Sequence, residues 1–163
     1  MIIVEEWRRD MEQYQIQKAL STEIPIELLL LADPHHDHIT SYVQRGQLFT
    51  AKQEEQIIGA YVLLETRPKT MEIVNIAVIS EHQGKGIGKQ LIAHALEVAK
   101  HSGMHTVEIG TGNSSIDQLA LYQKCGFRIV GIDHDYFVKY YEEPIIENGI
   151  VCRDMIRLAL DLY

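Results

Sequence analysis

The chain has 163 residues, the size of one compact domain, and is long enough to bury a core without staples. A hydrophobic content of 46% and a charged content of 23% are ordinary for a soluble globular protein, and a formal net charge of −8 argues against the basic surface that sequence-independent nucleic-acid binding needs; it either favours cationic partners such as amines or serves solubility alone. The two cysteines, Cys125 and Cys152, have no CxxC partners, which argues against a zinc site or a disulfide framework and fits a reducing cytoplasm.

The opening MIIVEEWRRD carries acids and no long apolar core, so it does not read as a signal peptide; IIVEEW reads equally as a strand or as the start of a helix. The most apolar run, IELLLLA (Ile26–Ala32), is far short of the ~20 residues that span a membrane. Residues Pro25–Ala32 read as a short helix ended by Asp33-Pro34, and Asp37–Gln44 as a second helix closed by Gly46. QLFTAKQ (Gln47–Gln53) and QIIGAYVLLET (Gln56–Thr66) flank Glu54-Glu55 and read as a hairpin. MEIVNIAVI (Met71–Ile79) is a third strand, rich in β-branched residues.

A helix is expected from about Gly86 to His101, with Ile87, Leu91, Ala95 and Val98 on one face and Gly103 as its stop. TVEIGT (Thr106–Thr111) is a strand. SSIDQLALYQKCG is a helix, with Ser115 and Gln118 as a capping box and Gly126 as its end. FRIVGI (Phe127–Ile132) is a strand; CRDMIRLAL (Cys152–Leu160) fits a strand by alternation and a helix by composition. With no repeat and no linker, one domain over residues 1–163 is the simplest reading. The order β-β-β-α-β-α-β after two helices predicts an α/β fold with a mixed sheet and a central parallel β-α-β crossover.

PHHDH (Pro34–His38) has metal-ligand residue types, but they are crowded into one loop with no distant cysteine or HExxH partner; a turn and helix-cap role for Asp33 or Asp37 is the expectation, with no metal. Cys125, beside a helix-ending glycine, reads as a packed thiol rather than a nucleophile.

The stretch HQGKGIGKQL (His82–Leu91) places three glycines in five residues where a strand hands over to a helix. Glycine lets backbone approach a ligand, and the helix start offers free N–H groups and the positive end of the dipole, so this junction suits a phosphate. Lys85, Lys89 and His82 add cationic or titratable groups. The loop fails GxxxxGK[ST], because Gln90 follows Lys89, and it fails GxGxxG, because Lys89 stands at the third glycine position. A nucleotide-binding module is therefore disfavoured.

The pattern that fits is Q/R-x-x-G-x-G/A, carried by Gln83, Gly86 and Gly88 after a strand ending IAVIS. Here, and in the downstream IGTGN and LALYQKCGF, the chain resembles the GNAT superfamily of N-acetyltransferases, best over residues 47–132 and only in element order outside them. The resemblance implies a mixed, mostly antiparallel sheet whose central parallel pair is splayed around acetyl-CoA, with helices on both faces. It implies that amides of Gln83, Gly84, Lys85, Gly86, Ile87, Gly88 and Lys89 hold the pyrophosphate. Ile76, Ala77 and Val78 would border the pantetheine, with an N–H near Val78 polarising the thioester carbonyl.

Acetyl transfer to nitrogen needs a neutral amine. At pH 7 a lysine-like amine is neutral about once in 2,500 molecules, a deficit of about 4–5 kcal/mol, so a base helps. By the resemblance, Glu72 stands where the histone acetyltransferase branch carries its general base, Tyr122 where the family protonates the departing thiolate, and Asn113 where a pantetheine amide or the substrate is bound. A half-exposed strand glutamate, a core aromatic and a turn residue are the respective plain alternatives. Asn75, three residues from Glu72, should face the other way as a buried polar group.

The expectation is a cytoplasmic enzyme with acetyl-CoA as co-substrate and a cationic amine acceptor, no nucleic acid or membrane partner, and room for a homodimer. The acidic, aromatic KYYEEPIIENG (Lys139–Gly149) suits a cationic acceptor. The alternative is a CoA-binding sensor without turnover.

Overall fold

The computed structural model describes residues 14–163, so the IIVEEW reading lies outside the described residues. The elements are β1 (Gln15–Ala19), α1 (Ile26–Leu30), α2 (His36–Arg45), β2 (Gln47–Gln53), β3 (Gln56–Arg67), β4 (Thr70–Val78), a 3-10 turn (Ser80–His82), α3 (Ile87–His101), β5 (Thr106–Gly112), α4 (Ile116–Lys124), β6 (Arg128–Asp133), α5 (Tyr136–Tyr140), β7 (Ile146–Glu147), β8 (Ile150–Val151) and β9 (Met155–Asp161). The hydrogen-bonded strand order is β1-β2-β3-β4-β5-β9-β6, with β7-β8 a separate hairpin. β1-β2, β2-β3, β5-β9 and β6-β9 are antiparallel. β4 and β5 are parallel, Thr70–Ile73 lying opposite Thr106–Ile109. A parallel pair needs a long crossover, and α3 lies in it. This is the mixed, mostly antiparallel sheet with a parallel pair that the sequence implied. No helix among the described residues is long and apolar enough to cross a membrane.

The chain divides into two units. One holds the described residues through Leu63 together with Asn75–His94; the other holds Leu64–Val74 and Ala95–Tyr163. In the first, the β2-β3 hairpin turns at Glu54, whose φ is +51°. Its core includes Phe49 stacked on Tyr61 at 4.9 Å, with Ile58, Leu91 and Ile92 fully buried. Gly59 admits the start of α3: a Cβ there would stand 3.1 Å from Leu91 Cδ1 and 3.2 Å from the Ala77 carbonyl. Helix α2 ends where Gly46 N–H bonds the Tyr42 carbonyl at 2.8 Å.

In the second unit the inner faces of β4, β5 and β9 bury Met71, Ile73, Val107, Ile109 and Leu158. The segment that read equally as strand or helix is a strand, because β9 fills the place between β5 and β6. Both long helices of the crossover region end in Schellman motifs. Gly103 N–H bonds the Lys100 carbonyl and Met104 N–H the Ala99 carbonyl; Gly126 N–H bonds the Gln123 carbonyl and Phe127 N–H the Tyr122 carbonyl.

Two expectations are corrected, and a third, the turn role for Asp33 or Asp37, falls to Asp33. The buried stripe of α3 is Ile87, Leu91, Ile92, Ala95 and Ala99, with Val98 only half-buried at its margin. Ser115 is the N-cap of α4, but its hydroxyl makes no cap bond and instead donates to Glu147 Oε2 at 2.7 Å. Asp33, rather than Asp37, organises the PHHDH turn: its Oδ1 accepts from His35 N–H at 3.0 Å and its Oδ2 from the Tyr42 hydroxyl at 3.3 Å, while Asp37 lies in the first turn of α2.

Candidate active site

The glycine loop lies in the first unit. Gly84 and Gly86 have φ of +75° and +83°, which L side chains rarely adopt. A Cβ on either would meet nothing within 4 Å, so backbone conformation rather than crowding requires glycine there, and the space beside the loop is open. Ile87 is 4% exposed and pins the loop to the core, leaving only its backbone for a ligand. The first bond of the α3 ladder here is from Gln90 N–H to the Gly86 carbonyl, at 3.1 Å. The N–H groups of Gly84 through Gly88 meet no backbone acceptor among the described residues. Free amides, a 15-residue helix behind them and an open cradle fit an anionic phosphate.

Two loop residues are placed differently from the reading of their amides and charges. Gln83 N–H is spent on the Ser80 carbonyl at 3.3 Å, and the Gln83 side chain donates to the Val78 carbonyl at 2.9 Å, bracing the end of β4. The free amides therefore begin at Gly84. His82 Nε2 lies 3.0 Å from Gln53 Oε1, so its ring is tied to β2. Lys85 and Lys89 are exposed. Along β4, Ala77 is buried while Ile76 and Val78 are half-buried on the other face. Asn75 is buried, and its amide donates to the Leu29 carbonyl at 2.9 Å and the Tyr42 hydroxyl at 2.8 Å, which is a packing role.

Glu72, Asn113 and Tyr122 lie in the second unit. Glu72 sits beside Glu108 in the parallel register, with Arg157 Nη1 3.4 Å from its Oε1. Burial raises the Glu72 carboxyl above the ordinary range; Arg157 opposes this, Glu108 adds to it and Arg67 opposes it. A carboxylate raised by burial suits a proton acceptor working near neutral pH.

Tyr122 is 5% exposed and occupies the position where the α4 Schellman motif closes, its ring 6.4 Å from that of Phe127. That ring contact is the apolar clasp expected of the motif, and it fixes where the phenol stands. Its hydroxyl makes no hydrogen bond among the described residues. Burial, and then the Cys125 thiol, hold the phenol protonated well above its usual range. It is therefore a proton donor at rest.

Asn113 is committed to its own unit. Its Oδ1 accepts from Arg153 N–H at 2.7 Å and Asp154 N–H at 3.0 Å, and its Nδ2 donates to the Val151 carbonyl at 3.1 Å. Glu147, read as part of the acidic surface, is held by Ser115. Among the described residues no group of three or more His, Cys, Asp or Glu side chains is arranged to hold a metal.

The model of the acetyltransferase (GNAT) family matches residues 4–127. The chain belongs to the GNAT family. It is an acyl-CoA-dependent N-acetyltransferase by that membership. It is 61% identical over 136 residues to the protein described as uncharacterized N-acetyltransferase YvbK of Bacillus subtilis (strain 168), covering 83% of this chain and 88% of that one. Among solved structures, an IAA acetyltransferase from Bacillus cereus ATCC 14579 superposes with a TM-score of 0.89 at 65% identity, over 91% of this chain and 99% of that one. A GNAT acetyltransferase from Elizabethkingia anophelis with acetyl-CoA bound also has a TM-score of 0.89, at 47% identity, over 92% and 99%.

The residues that sequence reasoning missed are Arg157, Asp133 and Gly110 around Glu72. Arg157 lies in the segment of undecided structure, and nothing local announces that a β9 side chain reaches a β4 carboxylate. Gly59 carried a readable signal, since a glycine inside a strand marks close approach of a neighbour.

Proposed function

We propose that this GNAT acetyltransferase moves the acetyl group of acetyl-CoA directly to a primary amine of a cationic small molecule or peptide, with no covalent enzyme intermediate. The observation that carries the reading is the row of free amides from Gly84 to Gly88 at the start of α3, in a loop that only glycine can shape. These N–H groups hold the pyrophosphate, and Gln83 braces the strand end beside it. Bound acetyl-CoA supplies the activated thioester.

Glu72 accepts the proton that the ammonium form of the acceptor must lose. Its burial-raised basicity reduces the mismatch with the amine. Tyr122 donates a hydrogen bond, then its proton, as negative charge grows on the leaving sulfur. The burial that raises the phenol raises a thiolate in the same surroundings for the same reason, so the transfer is not opposed by desolvation of one partner alone. Asn113 acts at one remove by fixing the backbone of Val151–Asp154.

The test is an acceptor screen with acetyl-CoA and a thiol-release readout, over aminosugars, polyamines and peptide amines. IAA joins the panel because the Bacillus cereus structure is described by it. Thiol release dependent on one amine class supports the reading. Acetyl-CoA binding with no release across the panel favours a sensor.

A further inference from the structure

One strand, β5, separates the place where Arg157 starts from the carboxylate it reaches. Strands lie about 4.8 Å apart, so β9 is roughly 10 Å from β4, with β5 between them. A side chain on β5 directly beside Arg157 would block the way. The residue there is Gly110, and a Cβ on it would stand 3.5 Å from Arg157 Nη1 and 2.7 Å from Met155 Sδ. On the other side, β6 presents Gly131 opposite Arg157. The arginine therefore passes over Gly110, free to lie along the sheet surface.

Its guanidinium is anchored at the β6 end. Nη2 donates to Asp133 Oδ2 at 2.7 Å and Nε to the same oxygen at 3.0 Å. The guanidinium carbon lies 5.5 Å from the centre of the Tyr136 ring, within cation–π range. At the β4 end the contact is looser. Nη1 is 3.4 Å from Glu72 Oε1, beyond the 2.7–2.9 Å of a tight charge-assisted bond. The arginine thus bonds firmly to Asp133 and leans its charge on Glu72. That arrangement favours the carboxylate without locking its oxygens, which is what a group that must take a proton needs.

The other charges facing Glu72 are Glu108 on β5 and Arg67 on β3, and these two are paired with each other. Glu108 is therefore partly neutralised by its own arginine, and Arg157 is the cation left to serve Glu72. We infer that Arg157 is the positioning residue of Glu72: anchored by Asp133 and Tyr136, it reaches over Gly110 to hold Glu72 as a carboxylate. The inference rests on the reading of Glu72 as the base. Burial and Glu108 both push the Glu72 carboxyl up, and Arg157 is the first of the two groups that push it down.

The test follows the Glu72 side-chain carboxyl carbon by NMR through a pH titration of the full chain, its resonance assigned by its loss in Glu72→Gln. No acceptor is needed, so the outcome is independent of whether Glu72 is the base; that reading stands or falls on the rate profile of Glu72→Gln. In Arg157→Gln the titration midpoint of Glu72 moves to higher pH, and Arg157→Lys moves it less. Asp133→Asn keeps the cation but removes its anchor and moves the midpoint in the same direction by a smaller amount; it also serves if Arg157→Gln does not fold. Midpoints unchanged or lowered in both Arg157→Gln and Asp133→Asn overturn the assignment and leave Arg157 as a surface brace for Asp133.

Discussion

Asn113 Oδ1 stands 2.7 Å from the backbone nitrogen of Arg153, forty residues away, and takes its hydrogen bond. The same oxygen takes Asp154 N–H, so one side chain replaces the missing strand partner of two consecutive amides. Asn113→Ala orphans both and costs about 1 kcal/mol, the low end of the range for a lost partner, because Arg153 is exposed to water. Asn113→Asp keeps the acceptor and loses only the donor to Val151, so its melting temperature falls less. Acetyl-CoA affinity, measured by calorimetry, is expected to stay near wild type in Asn113→Asp. A loss of affinity with an unchanged melting temperature would make Asn113 a ligand contact instead.

Gly86→Ala and Gly86→Val test the loop. A Cβ at Gly86 meets nothing within 4 Å, but φ of +83° strains any L residue by about 1–2 kcal/mol. Both variants are expected to lose stability modestly and acetyl-CoA affinity strongly, with valine worse because its branches fill the space beside the free amides. Gly131→Ala is the control, since a Cβ there also meets nothing within 4 Å and φ is ordinary. Wild-type affinity in a folded Gly86→Val would remove the pyrophosphate from this loop.

The middle of the chain was legible because each signal in it is local. β2 and β3 are apolar runs broken by Glu54-Glu55 at their turn, β4 alternates, and the glycines closing α3 and α4 sit where the Schellman bonds form. The ends were less legible for two different reasons. β1 is a polar, mostly exposed QIQKA that becomes a strand only by pairing with β2, Gln15 opposite Lys52 through Ala19 opposite Leu48. The β7-β8 hairpin had a readable signal that went unused: Asn148 and Gly149 have φ of +54° and +70°, both positive as a type I′ turn requires. In the candidate site, the partners of the side chains were not legible. Ser115 looked like a cap and serves Glu147, and Asn113 looked like a ligand residue and holds backbone, because both partners arrive from more than thirty residues downstream.

Tyr122→Phe removes a hydroxyl that has no hydrogen-bond partner among the described residues, from a ring that stays packed, so stability should stay near wild type. If the hydroxyl protonates the leaving thiolate, kcat falls about a hundredfold, in the range of general acid catalysis, with acetyl-CoA affinity nearly unchanged. Steady-state kinetics beside a melting curve separate the two effects. A wild-type kcat would leave Tyr122 as the core aromatic that clasps Phe127.

Glu72→Gln mimics the protonated acid. Because the folded carboxyl is raised, chiefly by burial, the folded chain holds its proton to higher pH than the unfolded chain, and stability is lost as pH rises through that window. Glu72→Gln should therefore melt at or above the wild-type temperature at pH 8. Its kcat/KM should fall and lose the acidic limb of its pH profile. Activity loss without stability loss marks a chemical role; an unaltered profile would mean that the amine is deprotonated through water.

The pair Tyr61 and His94 makes the opposite pH prediction. Tyr61 is fully buried, and its hydroxyl lies 2.8 Å from His94 Nδ1. The phenol needs an acceptor, and burial holds it protonated, so it donates to Nδ1 of a neutral imidazole. Protonating that nitrogen would set two donors against each other. Burial accordingly lowers the His94 pKa from its ordinary value near 6.5. The unfolded chain then takes up its proton first as pH falls, and the stability contributed by neutral His94 is present above about pH 6.5 and lost below it. His94→Leu alone would orphan the Tyr61 hydroxyl, so the informative variant is Tyr61→Phe with His94→Leu, which removes both partners. Melting temperatures of this double variant and of wild type, compared from about pH 8 down to about pH 5.5, should converge or cross, with wild type losing more. A constant difference across that range would mean that His94 titrates alike in the folded and unfolded chains, and the neutral-imidazole assignment would be withdrawn.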